Sequence, residues 1–364
     1  MSTQRLAGER SRGAIRLPLL LALVVTGAAA LAPRGSEVFE FWYREILPRW
    51  ANATREIGSH VPFSLSEATL LLLLLLAISL GWRGVRAARA EGARWTWPWA
   101  LLKPPLALAL WVYVLAVLPW GVLHRRLPIE ERRAWPTLSA SEVVAALRRE
   151  AGALVRGLEA PPARESEPSG ENAVQALSLR AAQCGLDAVR ALDPAAALAA
   201  AGARDFFPSG ALAALGIAGV FLPGWMEPHV EPGLTPAERF FAIAHEEAHR
   251  GGFTSEAEAN LAAYLGLARA AEEELRLAAL VGLLLHAEAA LLAPANGPPV
   301  AFPERVLDAA RAARRRAREQ RWDFAARGAA KVNDAYLRAS GDRGGVRSYG
   351  VFPELLARAR ASGF

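Results

Sequence analysis

Apolar and polar positions divide the chain into two unlike parts. Three apolar stretches, near residues 15–32, 65–82 and 102–123, fall in the first third. The second runs from Leu65 to Trp82 through an unbroken leucine run, Leu70 to Leu76, and opens on Ser64 and Glu67 in capping-box spacing. At about 1.5 Å per residue it reaches roughly 27 Å, close to the hydrocarbon thickness of a bilayer. The first stretch follows Arg5, Arg10, Arg12 and Arg16 and contains Ala30-Leu31-Ala32, so it reads as an uncleaved anchor or a cleaved leader. The third begins at Lys103-Pro104-Pro105 and continues apolar past Trp111 and Trp120. Residues 1–126 are therefore expected to form a membrane region. With the basic N-terminus inside, the rest of the chain is expected outside the cytoplasm.

From Leu127 onward the pattern changes to that of an Ala-rich, helical, soluble domain spanning 127–364. Helices are expected over Ser139–Gly157 and Asn172–Ala200, with an exposed loop from Glu159 to Glu171 between them. The stretch Gly216–Val230 is rich in strand formers broken by Gly and Pro and predicts one or two short strands. Thr235-Pro-Ala-Glu238 is a capping box with proline at the first helical position, so a helix runs from there to Gly251-Gly252. The apolar helix Leu275–Leu292, which carries His286 and Glu288, is expected to pack against that helix rather than cross a bilayer. The basic run Arg311–Arg321 predicts a solvated helix face. The fold class expected is mostly α (α+β), with membrane helices preceding a helix-rich domain.

Composition sharpens the division. Hydrophobic residues make up 53% of the 364 positions and charged residues 21%, too apolar a balance for one soluble globule. The formal charge of +6, with no basic domain motif, fits membrane apposition as well as nucleic acid; the partner expected is the lipid bilayer, and no nucleic acid. A single cysteine, Cys184, excludes an internal disulfide and a Cys-based zinc site, and it reads as a small buried hydrophobe. Any metal must then use histidine and carboxylate, and there are only six histidines.

Two of them, His245 and His249, lie four residues apart inside the helix that starts at Thr235. That spacing stacks both imidazoles on one face, as two nitrogen ligands of one zinc require. Glu246 lies beside the first, placed to act on water as a general base: HExxH. After the Gly-Gly turn, Glu256 stands in the first turn of the next helix as the candidate third ligand, with Glu258 in reserve. Ser255-x-x-Glu258 reads as a capping box that would occupy Glu258. Asn260, four residues after Glu256, is placed to orient a ligating histidine. His229 lies on the preceding strand and reads as a surface residue or as a shadow over the cleft. Arg347 and Tyr349, in the Gly-rich tail, are candidate donors to a developing oxyanion.

These residues give the chain a family likeness. The plan of N-terminal spans, the strand Gly216–Phe221, the signature HEEAHRGGFTSEAEANLAAYL and the tail VNDAYLRASGDRGGVRSYG resemble the DUF3810 group of bacterial membrane proteins. The HExxH signature followed by Glu-x-x-x-Asn is also similar to gluzincin peptidases. That resemblance implies a zincin-like fold, zinc on His245, His249 and Glu256, and base catalysis by Glu246. Two departures stand out: the third ligand follows His249 unusually soon, and Asn260 occupies a position where many gluzincins have Asp. The activity implied is that of a zinc metallopeptidase in a bacterial inner membrane, acting on a peptide or protein. The competing expectation is a non-catalytic scaffold or sensor whose structural metal site is closed by a fourth protein ligand, such as His229 or Glu258.

Overall fold

A computed structural model describes residues 32–90, 97–114, 118–159, 171–195, 198–294, 298–340 and 350–364, with isolated positions between 17 and 27. The first apolar stretch therefore lies largely outside the described residues, as do Arg347 and Tyr349 of the tail. Among the described residues the chain is mostly helical with one small sheet. Its longer helices are α1 (Leu47–Ser59), α2 (Leu65–Ala90), α3 (Trp97–Val112), α4 (Ala140–Glu159), α5 (Glu171–Leu192), α6 (Pro236–Arg250), α7 (Glu256–Ala268), α8 (Glu273–Leu292), α9 (Glu304–Gln320), α10 (Asp323–Ser340) and α11 (Phe352–Ala361).

Among the described residues two helices are long and apolar enough to cross a membrane, and burial separates them. Only 17% of the apolar window of α2 is buried, and Leu70, Leu71, Leu72, Leu74, Leu75 and Leu76 are exposed. In α8 the share is 56%, and its apolar face packs on α4, α6 and α7, as its sequence suggested. α3 packs along α2 as a shorter apolar helix. Within the third stretch, residues 115–117 lie outside the described ones. Its C-terminal part folds as a short helix, Leu118–Gly121, and a 3₁₀ turn, Val122–Arg125, in which Trp120 and Leu123 are buried in the domain core.

Described residues on both sides of the boundary expected near residue 126 share one core. Tyr43, Leu47 and Ala51, which lie between the first two apolar stretches, belong to the same core as Ala248 and Phe253. Arg126 ties the parts together, donating to both carboxylate oxygens of Glu40 at 3.0 Å and to Asp193 at 2.7 Å. The cause is burial. Tyr43 and Leu47 are fully enclosed, whereas the leucines of α2 stay exposed.

The core is a stack in which α5 crosses α6 and α7 while α8 backs them. Glycine permits the close crossings. A Cβ on Gly185 would collide with the carbonyl of Ala244, and one on Gly266 with that of Cys184. Cys184 is buried there as a free thiol, and burial pushes it up to about 11. α5 stops at Leu192, short of the expected Ala200, because Pro194 cannot continue it.

The sheet has three strands in the order β1 (Arg204–Asp205), β3 (Glu227–Val230), β2 (Gly219–Leu222). The pair β2 and β3 matches the expectation; β1 was not legible, being two residues long. β1 runs parallel to β3, with Arg204 opposite His229. β2 runs antiparallel to β3, with Gly219 opposite Val230 and Phe221 opposite Pro228. The Glu231 amide donates to the Ala218 carbonyl at 2.8 Å, which fixes the bonded positions of this ladder. Gly219 and Phe221 are thus the residues that turn their N–H and C=O groups away from β3, toward the open edge. α6 lies under β2 and β3.

Candidate metal centre

The site begins with two helix ends. Thr235 and Glu238 form the capping box that starts α6, with Pro236 in the first turn. Gly251 and Gly252 end the helix. Gly252 has φ +89°, and a side chain there would press on Leu47 and Tyr43, so glycine lets the chain turn back at once while α1 lies against it. α7 then starts at Glu256, facing α6.

This turn brings His245, His249 and Glu256 together. One potential ligand atom from each lies within 4.8 Å of the others. Glu256 Oε2 is 3.1 Å from His245 Nε2 and 3.5 Å from His249 Nε2. The two rings are nearly perpendicular, with centroids 4.6 Å apart. Each imidazole is also held from behind. His245 Nδ1 lies 2.8 Å from Asn260 Oδ1, and His249 Nδ1 lies 2.6 Å from the Phe253 carbonyl. Both partners are acceptors, so each Nδ1 would carry the proton in the neutral ring and leave Nε2 as the atom available to a metal. The donor set of two imidazole nitrogens and one carboxylate oxygen fits zinc.

Charge within this cluster is strongly perturbed. Burial penalises the Glu256 carboxylate, yet His249 and His245 outweigh it and hold the group well below the usual carboxylate range. Burial works against charge on His249 too, but Glu256 and Glu246 push it up to about 9. Glu246 differs. It is 4% exposed, and burial raises it to about 7 against the pull of His245 and His249. A carboxyl poised near neutrality can both accept and return a proton.

The walls come from elements the motif does not reveal. A Cβ on Gly219 would lie 2.7 Å from Glu246 Oε1, so the face of β2 rests on Glu246 here only because that residue is glycine. Trp120 donates its indole N–H to the His249 carbonyl at 3.1 Å and packs against Phe221 and the His249 ring. Gly219, Phe221 and Trp120 were missed by sequence reasoning, because only tertiary structure brings them to the HExxH helix; Phe253, four residues after His249, was missed because it acts through its backbone carbonyl.

Two expectations need correction. Ser255 makes no side-chain cap on α7, and Glu258 does not close a capping box. Its Oε1 accepts the Ile129 N–H at 2.6 Å instead, because the start of the short helix Ile129–Arg132 presents an unpaired amide to it. Glu258 therefore stands apart from the imidazole pair. His229 is not a surface residue. It is fully buried on the central strand, with Nε2 2.9 Å from Ser64 Oγ and Nδ1 3.1 Å from the Glu227 carbonyl. Burial lowers its tendency to carry charge. Among the described residues, no fourth His, Cys, Asp or Glu joins the cluster.

Residues 42–357 match the family described as "Protein of unknown function (DUF3810)", and the chain belongs to that family. No curated protein and no solved structure matches the chain.

Proposed function

We propose that the protein is a membrane-anchored zinc metallopeptidase with a zincin-like fold. The observation that carries this reading is the convergence of His245 Nε2, His249 Nε2 and Glu256 Oε2, each imidazole oriented from behind by a fixed acceptor. His245, His249 and Glu256 would hold the ion, which supplies Lewis acidity toward a peptide carbonyl and toward water. Glu246 takes the proton of the attacking water and delivers it to the leaving amine. Its raised pKa suits both transfers.

A substrate in extended form would add to β2 as an antiparallel strand, pairing with the outward groups of Gly219 and Phe221 beside Glu246. Trp120 and Phe221 would shield the reacting carbonyl from bulk water. A scaffold with a closed structural site is less well supported, since both candidate fourth ligands are engaged elsewhere, His229 with Ser64 and Glu258 with Ile129.

The anchor is read as multi-pass in an inner membrane. α2 and α3 pack along each other, and Ser64 before α2 and Trp120 after α3 both bond to the domain, which suits a domain on one side of the bilayer. The basic start of the chain, with Arg5, Arg10, Arg12 and Arg16, favours an N-terminus inside and a domain outside the cytoplasm, whereas Arg83, Arg86 and Arg89 are matched by Arg34, Arg44, Arg49 and Arg55 in the preceding loop. The test is hydrolysis of a quenched-fluorescent peptide library by the full chain in detergent. Activity should vanish with a zinc chelator, return with zinc, and be absent in Glu246→Gln. Turnover by Glu246→Gln at the wild-type rate would refute the assignment.

A further inference from the structure

A cavity of about 790 Å³ lies on the β1 side of the sheet, across it from β2, which borders Glu246. Arg55 from α1, Arg204 from β1 and Arg239 from the first turns of α6 line it together with Ser178 of α5. Three polar atoms of these residues, Arg55 Nε, Arg239 Nε and Ser178 Oγ, are buried without a hydrogen-bond partner. Unsatisfied buried donors are rare because each costs desolvation energy, and three on side chains around one cavity mark a lining short of acceptor oxygens.

The two carboxylates in the lining do not meet this need. Asp205 is taken up by Arg239 at 2.6 Å. Glu227 accepts from Ser64 Oγ at 2.8 Å, from the Leu65 amide at 3.1 Å and from the Ser66 amide at 2.8 Å, while Arg204 approaches it no closer than 3.6 Å. Three guanidinium groups against two engaged carboxylates leave the lining cationic. The opposite wall is apolar: Val174 and Leu179 of α5 are 48% and 55% exposed. The position is also informative. Trp225 lines the cavity and donates its indole N–H to Thr69 Oγ1, near the start of α2, at 2.9 Å. The cavity thus sits at the foot of the exposed leucine helix.

We propose that this cavity binds an anionic phospholipid, with the phosphoryl oxygens among Arg55, Arg204, Arg239 and Ser178 and the glycerol and upper acyl chain against Val174 and Leu179. Arginine suits the phosphoryl group because its planar fork matches phosphate geometry. The inference rests on the membrane part of the reading above and not on the hydrolase. Its readout is binding, which needs neither metal nor peptide, so failure of one is distinguishable from failure of the other.

The test is calorimetric titration of the full chain in a nonionic detergent with dihexanoyl phosphatidylglycerol, dihexanoyl phosphatidylcholine and inorganic phosphate. The anionic lipid should bind in preference to both others. Arg239→Gln should weaken it about ten- to a hundredfold, the worth of hydrogen bonds to a charged group. Arg239 also pairs with Asp205, so Arg55→Gln provides a second arm: its ion pair with Glu56 is exposed and 3.7 Å long, and the fold should not depend on it. Arg55→Gln should likewise weaken the anionic lipid about tenfold and leave the unfolding temperature unchanged. Equal affinity for the two lipids, equal affinity for phosphate and the anionic lipid, or wild-type affinity in Arg55→Gln would each overturn the proposal.

Discussion

Removing the acceptor behind His245 should loosen the metal without disturbing the fold. Asn260 is 2% exposed, and its Oδ1 lies 2.8 Å from His245 Nδ1, while its amide nitrogen is buried with no partner. Replacing it with leucine, of similar size, deletes the hydrogen bond and also removes the unsatisfied donor, so the effect on stability should be small. The effect on metal should not be. Acceptors of this kind are worth about 10- to 100-fold in metal affinity, or roughly 1.4–2.7 kcal/mol. The equivalent acceptor behind His249 is a backbone carbonyl, which no substitution removes, so Asn260 is the informative position. Asn260→Asp supplies the same oxygen with a charge and should bind zinc at least as tightly as the wild type. The assay is competition against a chromophoric zinc chelator, using full-length protein in detergent with circular dichroism as a check on folding. Wild-type zinc affinity in a folded Asn260→Leu would show that the acceptor does not orient a ligand.

Other predictions follow the same geometry. Gly219→Ala places a Cβ against Glu246 Oε1, and peptide hydrolysis should fall at least about tenfold while zinc affinity is kept, read by steady-state kinetics beside the chelator assay. Arg250 and Glu247 form a fully buried pair at 2.9 Å, and Arg250 also donates to the carbonyls of Ala199 and Ala51. Arg250→Met leaves Glu247 unpaired and should cost about 3–5 kcal/mol in chemical denaturation, with the double variant Glu247→Gln/Arg250→Met costing less. For Glu227, burial pushes the carboxyl up, but the hydrogen bonds from Ser66, Ser64 and Leu65 prevail and hold it below the ordinary glutamate value of 4.5. A group depressed on folding contributes stability above its unfolded pKa and loses it as pH falls through the folded value. Thermal unfolding should therefore show stability declining as pH drops below about 4.5, and Glu227→Gln should flatten that decline.

What was legible in the sequence was local. Thr235, Pro236, Glu238 and the Gly251-Gly252 pair lie within one helix length of HExxH, so capping chemistry delimited α6 and placed Glu256 and Asn260 on the helix that returns. What stayed hidden was joined at long range. The Ser64–Glu67 pair looks like a self-contained cap, and the Glu67 amide does bond to Ser64 Oγ at 3.0 Å. Its other half goes elsewhere: the Glu67 carboxylate accepts the Phe207 amide at 2.8 Å, and Ser64 donates to Glu227. Glu258 was misread for the same reason, since nothing near it in sequence announces Ile129. Trp120 lies in an apolar stretch that resembles a span, and only its tertiary contacts reveal that it packs into the domain core.

The central claim is that two imidazoles and one carboxylate grip a single divalent ion. X-ray absorption at the zinc edge, on full-length protein reconstituted with one equivalent of zinc, tests it most directly. The account predicts a first shell of two imidazole nitrogens with the remaining donors oxygen, reduced to a single imidazole in His249→Ala. A shell unchanged by loss of His249, or no zinc retained by the wild type, would contradict it.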